Sequence, residues 1–319
     1  MELMEQILEV QGLKKYFETS GGTLHAVDDI NFSLAKGETL GVVGESGCGK
    51  STLGRVILHL HDSTDGKIFF EGEDITHVSW VQLRELRKKM QIIFQDPYAS
   101  LDPRKTVYQI LAEPFQIHNP EMSREEIYQK VTELVDQVGL RPEHIYRYPH
   151  EFSGGQRQRV GIARAIALRP EFVVCDEPVS ALDVSIQAQV INLMQDIKRE
   201  YDLSYLFISH DLRIIKHFCD RVMVMYLGNI VEMGTKEAIY EKRRHPYTQA
   251  LLSAIPNIKE KDKQERILLT GDLPSPVNPP SGCPFHPRCR YCMDICKQEK
   301  PCLRTLADGT QVACHLDME

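Results

Sequence analysis

The 319 residues, 42% hydrophobic and 26% charged, describe an ordinary globular chain, long enough for one large domain or one domain with an appendage. A net charge of −7 gives no support to a broad electrostatic footprint for nucleic acid or anionic lipid. The start, Met1-Glu2-Leu3-Met4-Glu5-Gln6, lacks a basic region followed by an apolar run, and no stretch approaches the ~18 uninterrupted apolar residues of a membrane span, so a soluble, cytosolic chain is expected.

Residues 7–44 read as short alternating strands, with Gly21-Gly22 and Lys36-Gly37 supplying the turns. Either ring of Tyr16-Phe17 can stack on a nucleotide base or pack in the core, and spacing leaves both readings open. The apolar run Leu40-Gly41-Val42-Val43 then enters Gly44-Glu45-Ser46-Gly47-Cys48-Gly49-Lys50-Ser51-Thr52, a full match to G-x-x-x-x-G-K-[ST]. In such a loop successive backbone N–H groups turn inward around a β-phosphate, Lys50 reaches the β and γ oxygens, and the Ser51 hydroxyl is placed to ligate Mg²⁺. The helix that follows carries Leu53, Val56, Ile57 and Leu60 on one face, so it packs on a sheet with its N-terminal dipole toward the phosphates. This is a nucleoside triphosphate site.

Further on, Lys67-Ile68-Phe69-Phe70 and Gln91-Ile92-Ile93-Phe94 read as strands flanking a basic helix, Leu83 to Met90. Gln95 leaves the second strand either as a surface amide or in reach of a metal or water near the phosphates. Residues 100–165 turn helical, with Val131, Leu134, Val135 and Val138 at helical spacing, and mark a subdomain. At its end Ser153-Gly154-Gly155-Gln156 opens a helix with Val160, Ala163 and Ile166 inward; it is either a simple N-cap or a second anion site. The strand Phe172-Val173-Val174-Cys175 runs into Asp176-Glu177, two carboxylates at the edge where open α/β sheets place ligands. Neighbouring side chains on a strand point to opposite sides, which predicts one toward the Mg²⁺ shell and one toward an attacking water. Asp183 precedes a helix with Ile186, Val190, Leu193, Met194 and Ile197 on its apolar stripe, and the strand Tyr205 to Ile208 ends on Ser209-His210-Asp211. His210 is either structural or a contact to the γ-phosphate.

Four segments in this order, GESGCGKST, FSGGQRQRV, FVVCDEP and ISHD, resemble the nucleotide-binding subunit of ATP-binding cassette (ABC) transporters over roughly residues 7–235. The resemblance implies an α/β P-loop NTPase cassette: a mixed sheet core, an antiparallel β subdomain and a helical subdomain at about 100–165, with ATP and Mg²⁺ as ligands. It makes Tyr16 the base-stacking aromatic, Gln95 the Q-loop residue, Asp176 a Mg²⁺-associated carboxylate with Ser51 and Gln95, Glu177 the general base, Asp183 a D-loop residue and His210 the switch histidine. It also implies a head-to-tail dimer in which Ser153 and Gly155 contact nucleotide held by the partner. The segments Gln91 to Pro103, Val179 to Ser185 and His245 to Leu252 are similar to the second ATPase subunit of bacterial di- and oligopeptide importers. Such importers pair two paralogous ATPases with two membrane permease subunits and an external binding protein, which places the chain at the cytoplasmic face of the membrane. Relatives of this subunit also serve nickel and other small solutes. Cassette ATPases that act without a permease usually carry a long coiled coil or two cassettes per chain, and neither occurs here.

After Ile255-Pro256 a charged, proline-rich linker, Lys259-Glu260-Lys261-Asp262-Lys263 and Gly271 to Pro276, leads to a small Cys-rich appendage within residues 236–319, too short to bury its own core and expected to need a staple. Six of the nine cysteines, Cys283, Cys289, Cys292, Cys296, Cys302 and Cys314, crowd this tail, and in a cytosolic chain such clustering favours metal over disulfides. Four thiolates can hold Zn²⁺ or an iron–sulfur cluster, and spacing does not separate the two. Peptide-importer ATPases carry a similar tail, some with a [4Fe–4S] cluster, and that resemblance points to Cys283, Cys289, Cys296 and Cys314; Cys292 and Cys302 are additional here.

Overall fold

The computed structural model describes residues 5–254, 267–269 and 271–317. The Lys259 to Lys263 stretch of the expected linker lies outside the described residues. The chain divides into two compact units, Met1–His77 with Phe207–Glu319, and Val78–Leu206.

The first unit opens with two antiparallel strands of 14 residues, β1 (Gln6–Thr19) and β2 (Gly22–Ala35). They are long rather than short as expected. Register shifts between Val10 and Leu13 and between Leu13 and Lys15, beside Gly12 at φ +57°, break the two-residue alternation into what reads as separate pieces. β3 (Thr39–Val43) is buried throughout and leads into α1 (Lys50–Ile57). β4 (Asp65–Phe70) and β5 (Glu73–Asp74) complete a four-stranded antiparallel sheet in the order β2-β1-β4-β5, with Leu8, Val10, Val27, Ile30, Ile68 and Phe70 buried.

The second unit contains α2 (Trp80–Lys89), β6 (Met90–Ile93), three helices α3 (Val107–His118), α4 (Arg124–Gln137) and α5 (Gly154–Ile166), then β7 (Phe172–Asp176) and α6 (Val184–Tyr201). Thr106, Ser123 and Ser153 start the three helices as capping boxes with Gln109, Glu126 and Gln156, so each helix begins where its own sequence satisfies the first N–H groups. Val131, Leu134, Val135 and Val138 are all buried, as their spacing predicts. β6 and β7 pair in parallel, with Ile93 opposite Cys175.

β8 (Ser204–Ile208) spans the division and returns the chain to the first unit. There follow α7 (Leu212–Phe218), β9 (Arg221–Tyr226), β10 (Asn229–Thr235), α8 (Lys236–Glu241), α9 (Pro246–Ser253), α10 (Asp294–Gln298), β11 (Arg304–Thr305) and β12 (Gln311–Val312). β3 lies parallel to β9, whereas β9, β10, β12 and β11 run antiparallel in that order, so the sheet is mixed. The Cys-rich tail buries Phe285, Val312 and Ala313 on this unit instead of forming a separate core: Val312 pairs with Glu232, and Phe285 packs against Tyr226 and Tyr247 with ring centroids 5.2 and 5.4 Å apart. Strand addition gives the tail its main-chain partners, which is the support a staple was expected to provide. Among the described residues, no helix is long and apolar enough to cross a membrane.

His245 heads α9 in a fully buried position. Its Nδ1 accepts the Tyr247 N–H at 3.1 Å, and its own backbone N–H donates to Glu232 Oε2 at 2.9 Å. Burial pushes the imidazole down to about 3, so the folded chain holds it neutral while the unfolded chain protonates it near pH 6.5. The stability linked to this group is complete above pH 6.5 and is lost as pH falls toward 3. The expected loss is about 1.4 kcal/mol per pH unit through that window. In urea titrations at pH 7 and pH 5.5, His245→Asn, which keeps a cap acceptor without a titrating ring, is expected to flatten the difference; an equal pH dependence in both proteins would refute the assignment.

Candidate functional site

The glycine loop is shaped by two close approaches of backbone. Gly49 sits at φ +101° at the head of α1, where a Cβ would collide with the Ala26 carbonyl, and a Cβ on Gly44 would meet the carbonyl of Met225. Only glycine fits both contacts. The Lys50 side chain turns back along the loop, its Nζ donating to the carbonyls of Gly44 and Glu45, each at 2.9 Å. An ammonium has three donors, and the third reaches only Cys48 Sγ at 3.8 Å, the weakest of the three contacts and the one a phosphate oxygen would replace. Cys48 is buried beneath the loop, where burial pushes its thiol up against the opposing influence of Lys50, so it offers a ligand its backbone and not its side chain. Leu53, Val56 and Ile57 are buried as predicted, but Leu60 is not on the helix: α1 ends at Ile57 and Leu60 is exposed.

His210 leaves β8 beside this loop. The Ser209 N–H donates to the Val42 carbonyl at 3.1 Å, which sets the exit of β8 against the exit of β3, two residues before Gly44. At the hairpin, Tyr16 and Phe17 part company. The Tyr16 ring lies 4.2 Å from His25 at an interplanar angle of 31°, and its hydroxyl donates to Asp28 Oδ1 at 2.6 Å. Burial and that carboxylate push the phenol well above its usual range. Phe17 packs edge-on to His61, 5.6 Å away.

In the second unit the register of β6 and β7 brings Gln95 opposite Glu177 at the strand exits, and Gln95 Nε2 donates to Glu177 Oε2 at 3.2 Å. Asp176, the last residue of β7, is buried. Glu177 takes the left-handed conformation, φ +47°, which an L-residue adopts at an energetic cost and which is concentrated at functional sites. Its carbonyl accepts from the N–H and hydroxyl of Ser180 at 3.2 and 3.1 Å, which holds the turn. Asp183 occupies the N-cap of α6, its carbonyl accepting from the N–H groups of Ile186 and Gln187. Ser153 caps α5: Gln156 N–H donates to its Oγ at 3.4 Å and its own N–H donates to Gln156 Oε1 at 3.0 Å. A Cβ on Gly155 would stand 2.5 Å from Ile186 Cγ2, so the signature glycine is required for α5 and α6 to approach.

In the tail, Cys283 and Cys296 are buried, Cys289 and Cys314 half-buried and Cys302 exposed, and Cys283 N–H donates to the Cys296 carbonyl at 2.8 Å. Burial, followed by the fields of Cys296, Cys314 and Cys289, pushes the Cys283 thiol up to about 11. Among the described residues, no group of three or more His, Cys, Asp or Glu side chains is gathered closely enough to hold a metal ion. His245-Pro246-Tyr247 and Arg288 lie in segments that carry the resemblance but have no role in it, and Asp28 and His25 carry no signal in the sequence. Tyr247 Oη accepts the Glu45 N–H at 2.9 Å, so part of the loop's support lies far along the chain.

The family model of ABC transporters matches residues 27–180, and that of the oligopeptide/dipeptide transporter C-terminal region matches residues 231–296. The oligopeptide transport ATP-binding protein AppF of Bacillus subtilis is 54% identical, the match covering 98% of each chain. The chain belongs to the ABC transporter family, in its oligopeptide and dipeptide branch. The dipeptide transport ATP-binding protein DppF of Haemophilus influenzae is 50% identical across 98% of this chain and 97% of its own. Among solved structures, cbiO1 from Clostridium perfringens, part of the ABC transporter complex cbiONQ, superposes with a TM-score of 0.65 at 29% identity over 75% of this chain and 92% of its own. The dimeric ATP-binding cassette MJ0796 bound to ADP and Pi gives a TM-score of 0.66 at 25% identity over 72% of this chain and 98% of its own. Both support the cassette fold.

Proposed function

We propose that this chain is the ATP-hydrolysing subunit of an importer of di- or oligopeptides, working head to tail with a paralogous ATPase beneath two membrane permease subunits that receive peptide from an external binding protein. The observation that carries the reading is full-length identity to the oligopeptide and dipeptide transport proteins of this branch, the C-terminal region included. Residues 7–235 form the cassette, with the helical subdomain at about 100–165, and residues 236–319 the C-terminal region that marks the branch. The chain acts from the cytoplasmic face of the membrane. Cells lacking the gene are expected to lose uptake of labelled di- and oligopeptides and to regain it with the gene restored. Unchanged uptake, in a strain with no second peptide importer, would overturn the cargo assignment.

The chemistry is phosphoryl transfer by positioning and charge neutralisation. Backbone N–H groups of the loop Gly44 to Thr52, other than those of Glu45 and Cys48, which are bonded within the fold, receive the β and γ phosphates with the Lys50 ammonium, Tyr16 stacks on the base and His210 contacts the γ-phosphate. Ser51, Gln95 and Asp176 would hold Mg²⁺, which would supply positive charge against that of the triphosphate. Glu177 orients the attacking water and accepts its proton, while Gln95 holds the Glu177 carboxylate. Ser153 to Gln156 and Asp183 act across the dimer, on nucleotide held by the partner.

In the tail, Cys283, Cys289, Cys296 and Cys314 are the ligands of a [4Fe–4S] cluster with a structural role, or alternatively of Zn²⁺. The chemistry of the donors suits the group, four thiols of which two are buried, but the described side chains are not drawn together around a metal-sized centre. Cys283→Ser is expected to remove most of the bound iron from anaerobically purified protein, and iron content equal to that of the unaltered chain would exclude Cys283 as a ligand.

A further inference from the structure

Glu45 is the first variable residue of the glycine loop, and each of its hydrogen-bonding groups is held. Its carbonyl takes the Lys50 ammonium, its N–H goes to Tyr247 Oη, and its carboxylate is gripped by Arg288 from the Cys-rich tail. The grip is a two-pronged fork: Arg288 Nη1 to Oε2 at 2.7 Å and Nη2 to Oε1 at 3.1 Å. The guanidinium is the less exposed partner, its side chain 8% accessible against 27% for Glu45, and Nη1 also reaches Tyr226 Oη at 3.4 Å. A buried fork of this kind fixes direction as well as distance, which a lysine in the same place does not.

The same tail touches the base end of the site. Lys300 Nζ donates to Asp28 Oδ2 at 2.7 Å while Tyr16 donates to the other oxygen, and the His25 N–H donates to the Pro276 carbonyl at 3.0 Å. His25 is the ring against Tyr16. Tail residues thus hold the support of the phosphate loop and of the stacking aromatic independently.

We propose that Arg288 is a positioning residue for nucleotide binding: through Glu45 it presets the glycine loop for phosphate, with Lys300 doing the same for Tyr16 through Asp28. The inference rests on reading Gly44 to Thr52 as the ATP site. Its physical basis is twofold. A loop with glycine at 44, 47 and 49 must otherwise lose backbone freedom when phosphate binds, and fixing even one residue beforehand is worth about a tenfold gain in affinity. Arg288 also neutralises a carboxylate that would otherwise stand unpaired in a loop built for a polyanion.

The test is isothermal titration of the full chain with MgATP, together with the melting temperature of each nucleotide-free protein. Arg288→Ala is expected to raise Kd about tenfold or more. Arg288→Lys, which restores charge without the fork, is expected to recover part of the loss. Arg288→Ala combined with Glu45→Gln is expected to bind no more weakly than Arg288→Ala alone, because the unpaired charge is gone. A Kd within twofold of the unaltered chain for both Arg288 variants, even with a lowered melting temperature, would overturn the proposal and leave Arg288 a structural residue. Should Arg288→Ala fail to fold, Arg288→Lys decides by the same twofold limit. Failure of the unaltered chain to bind MgATP would instead remove the ATP-site reading beneath it.

Discussion

Glu177→Gln in the assembled ATPase is expected to lower steady-state ATP hydrolysis by about 10²–10³-fold while leaving ATP binding intact, so that the dimer accumulates with ATP trapped. The local geometry makes the substitution clean. The left-handed backbone at Glu177 and the two Ser180 bonds to its carbonyl aim the side chain irrespective of its charge. Glutamine keeps the shape and an oxygen for the Gln95 amide, which lies 3.2 Å from the carboxylate, and loses only the capacity to take a proton. Size-exclusion chromatography with MgATP and a phosphate-release assay read the two effects. Turnover near that of the unaltered enzyme would remove Glu177 from the role of base.

Phe285→Ala is expected to destabilise the chain by about 3–5 kcal/mol in urea denaturation. Phe285 is 1% exposed and sits at the centre of a ring cluster, edge-on to Tyr226 at 86°, with Tyr247 and His245 at 5.4 and 5.6 Å. Its removal leaves a cavity in the seam through which the tail is anchored, and edge-to-face aromatic contacts are lost with the buried area. Phe285→Leu, which refills most of the volume, is expected to lose markedly less. A loss below about 1 kcal/mol for the alanine variant would show that the tail is not anchored there. The same anchor brings Arg288, three residues on, into reach of Glu45.

The parts of the site that could be read from the chain are those made by neighbours in sequence. An apolar strand, a glycine pattern and a helical period stand side by side in residues 40–57, and each local preference agrees with the others. Likewise Asp176-Glu177 announces itself because two carboxylates follow directly on a buried apolar run, Asp176 as the buried last residue of the strand and Glu177 in the turn beyond it. Where local periodicity is broken, reading fails. The bulges of β1 hide the length of the hairpin, and Tyr16 and Phe17 are told apart only by His25 and Asp28 on the opposite strand.

By itself the sequence determined the triphosphate loop, the start of α5 at Ser153 and the family, all carried by contiguous residues whose hydrogen-bonding and periodicity are local. The tertiary structure alone decided how the tail is buried and what holds the loop. Tyr247 and Arg288 meet Glu45 across 202 and 243 residues of chain, and a side chain's partner at such separation is set by which strands join the sheet and which rings fill its seam. No local propensity encodes that meeting, because its stabilising contacts exist only once β12 has paired with β10 and Phe285 has entered the aromatic cluster.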